Sequence, residues 1–195
     1  AYVGDFGLVG VNQNTFEDVL THVPFIVKPP RSAAYRPGIR NGLVELTDFP
    51  ATVMDLAGTE PDYSHFGRSL RPFFQEERLN HREAVFCEGG RLKGETHCTE
   101  RDTGGYKDPR QPFWPRLSVQ AEDDAAHGKA VMCRTADFKY VHRLYEENEL
   151  YSLAEDPLET VNLIHDPKLA EQKNRRQQRL LQFMIETADI VPFPA

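Results

Sequence analysis

The chain has 195 residues, which is enough for one hydrophobic core plus a small appended unit. Its formal net charge of −7 argues against a nucleic-acid partner, and its most apolar stretch (22–30) is far shorter than the roughly 20 residues that span a bilayer. Three cysteines without paired spacing favour free thiols in a reducing compartment, so we expect a soluble, cytoplasmic protein that binds neither nucleic acid nor a membrane.

The first third of the chain predicts a buried strand and a helix. In 22–27 the apolar residues are consecutive, as in a strand buried on both faces of an α/β sheet, and two prolines then end it. After a connecting loop (31–41), the sequence of 43–58 predicts a helix with Pro50 in its first turn and Gly58 at its C-terminal end. Helical spacing places four apolar side chains of this helix towards the core: Phe49, Val53, Leu56 and Ala57.

The second half predicts an antiparallel sheet and a C-terminal helix. A short strand is predicted at 83–90, and two β-rich runs (129–135 and 138–145) predict a hairpin. A further strand follows at 149–153, and a helix is predicted from about 166 to 188, capped by Asp166. The predicted buried side of this helix contains Leu169, Leu180, Phe183 and Met184.

A long polar segment (91–128) separates these halves and shows no sustained periodicity. A segment of this length without regular structure is usually functional or disordered. Its Phe-Trp-Pro sequence at 113–115 favours packing against the rest of the protein over free disorder.

The residues alone do not form a complete active site. The sequence has no G-x-S-x-G, no H-x-x-x-H and no C-x-x-C. We interpret the adjacent His97 and Cys98 as an incidental loop pair, and the acidic run at 122–124 as solvated surface rather than a metal site.

The most informative sequence is ELYSLAEDPLETVNL at 149–163. It closely resembles the C-terminal signature of sulfatases, ELYDL-x-x-DP-x-E-x-x-NL, with Ser152 in place of the usual Asp. MCRTADFKYVHR (132–143) resembles the hairpin that precedes this signature. ELTDFPATVMDLAG (45–58) resembles a helix of the same family, and VPFIVKPP (23–30) resembles one of its strands. These motifs occur in the family's order over nearly the whole chain. We interpret the signature as architectural, because Asp and Asn can bond their own backbone and Pro fixes a turn.

The resemblance also implies the chemistry of an intact family member. In sulfatases and their alkaline-phosphatase-like relatives, a formylglycine made from the Cys or Ser of C/S-x-P-x-R is the nucleophile, and it acts with a divalent cation such as Ca²⁺. The first ten residues, AYVGDFGLVG, resemble the stretch after the family's later metal-binding pair, and Val11 occupies the place of its sulfate-contacting Lys. The chain contains no C-x-P-x-R. We therefore predict no catalytic residue, no metal ligand and no cofactor within this chain, and no sulfatase activity for it alone.

Three residues are candidates for contact with a substrate. His127 is the first, because it ends the long loop at a place that forms the pocket rim in one branch of the family. An imidazole there can donate a hydrogen bond to a sulfate or leaving-group oxygen. His97 and Arg91 follow as further candidates.

The predicted fold class is α/β: the edge of a larger sulfatase-like sheet, plus a small C-terminal antiparallel sheet packed on a C-terminal helix. Residues 1–82 would be the remnant of the large catalytic domain, and 83–195 the C-terminal subdomain with the long loop 91–128. Because an isolated piece of a sheet exposes an edge and an apolar face, we expect self-association or a missing N-terminal sulfatase portion as partner.

Three functions fit this sequence. The chain can be the catalytically incomplete C-terminal section of a sulfatase-type sulfuric ester hydrolase. It can be a non-catalytic module that binds anionic or sulfated ligands or another protein. It can also be one chain of a two-chain hydrolase, although Val11 counts against this, because a partner would not restore the Lys.

Overall fold

A four-stranded antiparallel sheet forms the centre of the protein. The computed structural model describes residues 1–11, 14–76, 80–95, 107–123 and 125–188. The sheet has the order β3-β4-β5-β6, and each strand pairs with the next along the chain. The bounds are Val85–Gly89 for β3, Ala130–Arg134 for β4, Phe138–Arg143 for β5 and Glu149–Ser152 for β6. The strands predicted in the second half are confirmed.

A separate two-stranded ribbon opens the chain. It pairs β1 (Tyr2–Val3) with β2 (Val9–Gly10). The α-helices of the described residues are α1 (Asp18–Thr21), α2 (Asp48–Ala57), α3 (Trp114–Glu122) and α4 (Ala170–Thr187). Short 3-10 turns cover Asp5–Gly7, Arg71–Phe74 and Pro167–Leu169. The fold is mixed α/β, as predicted.

Each face of the four-stranded sheet has its own hydrophobic cluster. Because side chains alternate along a strand, Cys133, Tyr140 and Leu150 lie side by side on the face that α4 covers. Leu180 of α4 is buried there. The opposite face packs Phe16, from the N-terminal part of the chain, against Ala130, Met132 and Val141.

Two predicted helix ends are confirmed, the cap at Asp166 and the stop at Gly58, whereas α2 has no side-chain cap at its N-terminus. The Asp166 carboxylate accepts a hydrogen bond from the Lys168 amide at 2.9 Å, just before α4. After α2, Gly58 has a left-handed φ of 65°, and the amide of Thr59 donates to the Met54 carbonyl at 3.0 Å. Within the described residues, no helix is both long enough and apolar enough to cross a membrane.

The strand predicted at 22–27 is wrong. These residues follow α1 and form neither a strand nor a helix, and Ile26 is 92% exposed. An apolar run becomes a strand only where neighbouring strands bond its backbone, and no described strand pairs with this run.

The predicted inner face of α2 is also wrong. Phe49 and Val53 are 49% and 48% exposed, and Ala57 is exposed too. The helix instead buries Asp48, Ala51 and Thr52. The reason is a set of polar contacts that direct this side inwards: the Arg82 guanidinium pairs with the Asp48 carboxylate, and the Arg68 amide donates to that carboxylate at 2.7 Å.

Two further predictions need correction. Met184 of α4 is exposed, although Leu169 and Leu180 pack on the core and Phe183 stacks on Phe86 with ring centroids 4.0 Å apart. The long segment 91–128 contains α3, which its polar sequence concealed. A proline in the first turn begins this helix, and Leu117 is its buried apolar anchor.

Candidate functional site

The sulfatase-like signature builds the corner after β6. The Asn162 side-chain oxygen accepts hydrogen bonds from the amides of Leu150 and Ile164 at 3.0 and 3.1 Å. The Asp156 carboxylate accepts from the amides of Thr160 and Val161 at 2.6 and 2.9 Å. These side-chain oxygens give hydrogen-bond partners to backbone amides that have none from a neighbouring strand at this corner, so the predicted architectural role of the signature is confirmed.

The signature's remaining acid, Glu159, belongs to a buried group of charges that we call the Lys139 cluster: Lys139, Asp18, Glu159 and Arg134. The Lys139 ammonium, in a side chain that is 1% exposed, forms ion pairs with Asp18 at 2.7 Å and with Glu159. Arg134 holds Asp18 with two hydrogen bonds of 3.1 and 2.9 Å. The cluster joins the corner, the sheet and α1.

The two carboxyl groups of the Lys139 cluster have shifted pKa values in opposite directions. Burial alone would raise the pKa of Asp18, but hydrogen bonds and charge from Arg134 and Lys139 outweigh it and lower the pKa to about 2. For Glu159, burial prevails over the attraction of Lys139 and raises the pKa. Glu159 also has a φ of 56°, which is uncommon for a residue with a side chain.

The structure brings two of the three predicted substrate contacts together. The Arg91 amide donates to the His127 carbonyl at 3.0 Å, and the Arg91 guanidinium donates to the Ala126 carbonyl at 3.2 and 3.3 Å. Arg91 is buried. Its guanidinium therefore shapes the loop that carries His127. The third candidate, His97, lies outside the described residues.

His127 is buried and adopts a left-handed φ of 58°. Burial lowers the pKa of its imidazole, and the positive charges of Arg116 and Arg91 lower the pKa further. The ring is therefore neutral at pH 7, with one nitrogen that donates and one that accepts.

Val11, at the predicted Lys position, faces α3. Its side chain is exposed, and its carbonyl accepts a hydrogen bond from the Arg116 guanidinium. A side chain at Gly10 would lie 2.8 Å from the ring of Phe113, the residue just before α3, so β2 lies close to the start of this helix. Arg116 thus interacts with both Val11 and His127. Arg116 was not among the predicted contacts, because the helix that carries it was not predicted from the sequence.

A separate acidic cleft of about 280 Å³ lies beside the end of β5. It contains none of the predicted substrate contacts, and its lining consists of Asn14, Thr15, Arg143, Glu146, Glu147, Glu149 and Asn162. Among the described residues, no group of three or more His, Cys, Asp or Glu side chains could hold a metal ion.

The sequence of this chain was compared with known proteins. No protein-family model matches the chain. An uncharacterised protein of Haemophilus influenzae is 28% identical over 144 residues, which are 74% of this chain and 56% of that protein. The chain therefore spans about half the length of this curated relative.

Several solved structures have a fold similar to that of this chain. The phosphonate monoester hydrolase of Agrobacterium radiobacter is 25% identical over 71% of this chain and 24% of its own, with a TM-score of 0.50. A 2-O GAG sulfatase and the phosphonate monoester hydrolase of Silicibacter pomeroyi are each 23% identical over 73% of this chain and 25% of theirs, also with TM-scores of 0.50.

These neighbours are sulfatases and phosphonate monoester hydrolases, and the chain spans about a quarter of their length. The described fold therefore matches part of the fold of the sulfatase/alkaline-phosphatase-like superfamily, and the predicted resemblance to a C-terminal portion of a sulfatase is confirmed at the level of the fold.

Proposed function

We propose that this chain is the C-terminal section of a sulfatase-type sulfuric ester hydrolase, and that it hydrolyses esters only together with a portion that supplies the nucleophile and the divalent cation. The absence of C-x-P-x-R from the sequence supports this, whereas Val11 at the Lys position counts against turnover, because a partner would not restore the Lys. The supporting likeness of fold includes both sulfatases and phosphonate monoester hydrolases, so we propose sulfate and phosphonate esters as the substrates to test.

The observation that carries the proposal is the exposed apolar surface of residues 23–66. Both hydrophobic clusters form around the four-stranded sheet, and neither includes a residue of 23–66. Nine large side chains of that part are 41–92% exposed: Val23, Ile26, Tyr35, Ile39, Leu46, Phe49, Val53, Tyr63 and Phe66. Together they expose on the order of 1,000 Å², which is comparable to the ~800 Å² that one partner buries in a stable interface.

The partner that fits this surface is the catalytic portion of the same kind of fold. The matching structures are about four times as long as the aligned part, and α2 presents its apolar side outwards because Asp48 is fixed on the inner side. We assign 23–66 to contact with that portion.

Within the assembled enzyme, we assign His127 to the rim of the substrate pocket. Its neutral imidazole would donate one hydrogen bond to an ester or leaving-group oxygen. Arg116 would bring positive charge to the same rim, which favours an anionic substrate. Arg91 would act by holding the main chain of His127, and His97 stays a predicted contact.

A turnover assay tests the proposal. The chain is assayed with aryl sulfate and aryl phosphonate monoesters, alone and co-expressed with a polypeptide that carries C-x-P-x-R with the formylglycine installed. We expect turnover only from the pair, and a His127→Ala variant should lower kcat about 10- to 100-fold. Turnover by the purified chain alone would overturn the proposal.

Val11 favours a second function, a non-catalytic module that binds sulfated ligands or another protein, because the Lys that contacts sulfate is replaced. The same experiment separates the two functions. If the pair assembles without turnover while the chain binds a sulfated oligosaccharide, the binding module is the correct function. A Val11→Lys variant then tests whether the missing side chain is the cause.

A further inference from the structure

Residues 14–18 are joined to the far end of the chain by buried polar contacts. The Lys139 ammonium donates to the Phe16 carbonyl and to the Asp18 carboxylate, both at 2.7 Å. The Asp18 amide donates to the Glu159 carboxylate at 2.6 Å. These contacts cross more than 120 residues of sequence, and they fix the segment on the face of the sheet opposite α4.

The same segment is also fixed at its start. The Arg143 guanidinium donates to the Asn14 carbonyl at 2.8 Å, and the Asn14 side-chain amide donates to the Gly128 carbonyl at 3.1 Å. Asn14 is buried, and Gly128 directly follows His127. The segment therefore contacts both the sheet and the loop that carries the candidate substrate contact.

An ammonium as buried as that of Lys139 is strongly destabilising unless it is paired and hydrogen-bonded. Here it has two carboxylates and a carbonyl as partners. Two of those three partners belong to residues 16–18. The cost of leaving Lys139 unpaired thus keeps this segment in one position on the sheet.

We propose that Lys139, Asp18 and Glu159 are positioning residues that hold the edge at Gly10–Val11 and the loop at His127 in one fixed arrangement. The edge contacts α3 through Arg116, and the loop contacts the segment through Asn14. The ribbon that carries the edge is joined to the segment by Tyr2, which pairs with Gly10 and whose hydroxyl donates to the Glu17 carboxylate. The C-terminal sheet thus sets the distance between Val11 and His127, although they are 116 residues apart in sequence. The catalytic consequence rests on the proposed function, whereas the positioning itself does not.

Hydrogen–deuterium exchange tests the positioning in the chain as it exists. We compare Lys139→Met with Lys129→Met, an exposed lysine just before β4. In Lys139→Met, amides of 14–21 should exchange at least tenfold faster, while those of β4 and β5 keep their protection. Lys129→Met should leave both regions unchanged.

A second variant covers the case in which Lys139→Met does not fold. Lys139→Met combined with Glu159→Gln removes one charge of each sign, so it leaves no additional net charge in the Lys139 cluster. Faster exchange confined to 14–21 supports the positioning role. Unchanged exchange in 14–21, or equal acceleration across the sheet, would overturn it.

Turnover in the assembled enzyme gives an independent readout. Loss of positioning should lower kcat at least tenfold in the double variant, with no loss of assembly with the nucleophile-bearing portion. If unmutated chain and partner give no turnover at all, the proposed function fails, while the exchange result still decides the positioning role.

Discussion

The outward face of α2 can be tested with two valines of nearly equal exposure. Val53 on α2 is 48% exposed, and Val119 on α3 is 50% exposed. Burying a whole Val side chain contributes about 1.5–3 kcal/mol, so each Val→Ser substitution should lower the stability of the chain alone by only about 1 kcal/mol. The two variants should therefore be equally stable in urea unfolding.

The two variants should differ in their affinity for the catalytic portion. If α2 binds the catalytic portion, Val53→Ser also loses the burial of its exposed half, about 1 kcal/mol, which weakens the Kd about fivefold. Adding Phe49→Ser, at a side chain that is also half exposed, should bring the loss to about 30-fold. Val119→Ser should bind like the unmutated chain.

Isothermal titration against the nucleophile-bearing portion measures these constants. Equal weakening by Val53→Ser and Val119→Ser, or no weakening by the double variant, would refute the assignment of α2 to the interface. The oligomeric state of each variant, measured by analytical ultracentrifugation, is the accompanying control for self-association through the same face.

Three more predictions concern single groups. In urea unfolding, Gly90→Ala should lower the free energy of unfolding by about 1–3 kcal/mol more than Gly94→Ala. Both glycines have positive φ, but only at Gly90 would a new Cβ lie 2.2 Å from the Gly128 carbonyl oxygen. Equal losses of stability would contradict this close approach. The folded pKa of Asp18, about 2, is below its ordinary 3.8, so its charge stabilises the fold above pH 4 and this contribution is lost as the pH falls towards 2. Asp18→Asn should thus cost about 2 kcal/mol at pH 7 and progressively less in acid; a pH-independent difference would show that the charge is not the cause. In an NMR titration, the pKa of His127 should lie below 6.5, and a value above 6.5 would mean that the imidazole is not buried beside Arg116 and Arg91.

The parts of the fold that the sequence predicted are those with strong local signals. The strands at 129–135 and 138–145 alternate their side chains between two covered faces, and a tight turn joins them. The Asp166 cap on the 3-10 turn that leads into α4 and the left-handed glycine after α2 are likewise local features. In each case the residues that determine the structure are neighbours in sequence.

The candidate site was predicted only in part, because it depends on contacts between distant segments. His127 and Arg91 were singled out, but the main-chain contact between them could not be read from residues 36 positions apart. Arg116 was missed because α3 has few apolar residues to show a helical period. The direction of α2 was mispredicted for a related reason: a buried carboxylate with partners at Arg68 and Arg82 outweighed the apolar pattern.

The sequence by itself determined the lineage of this protein, through the ordered motifs that end in ELYSLAEDPLETVNL, and most of its C-terminal sheet. Local periodicity and turn chemistry are enough for that, since they act between near neighbours. Only the tertiary structure decided which residues contact position 11, where the apolar face of α2 points and what Glu159 does. Those answers depend on which charges are buried together, and buried charges find their partners wherever the fold places them.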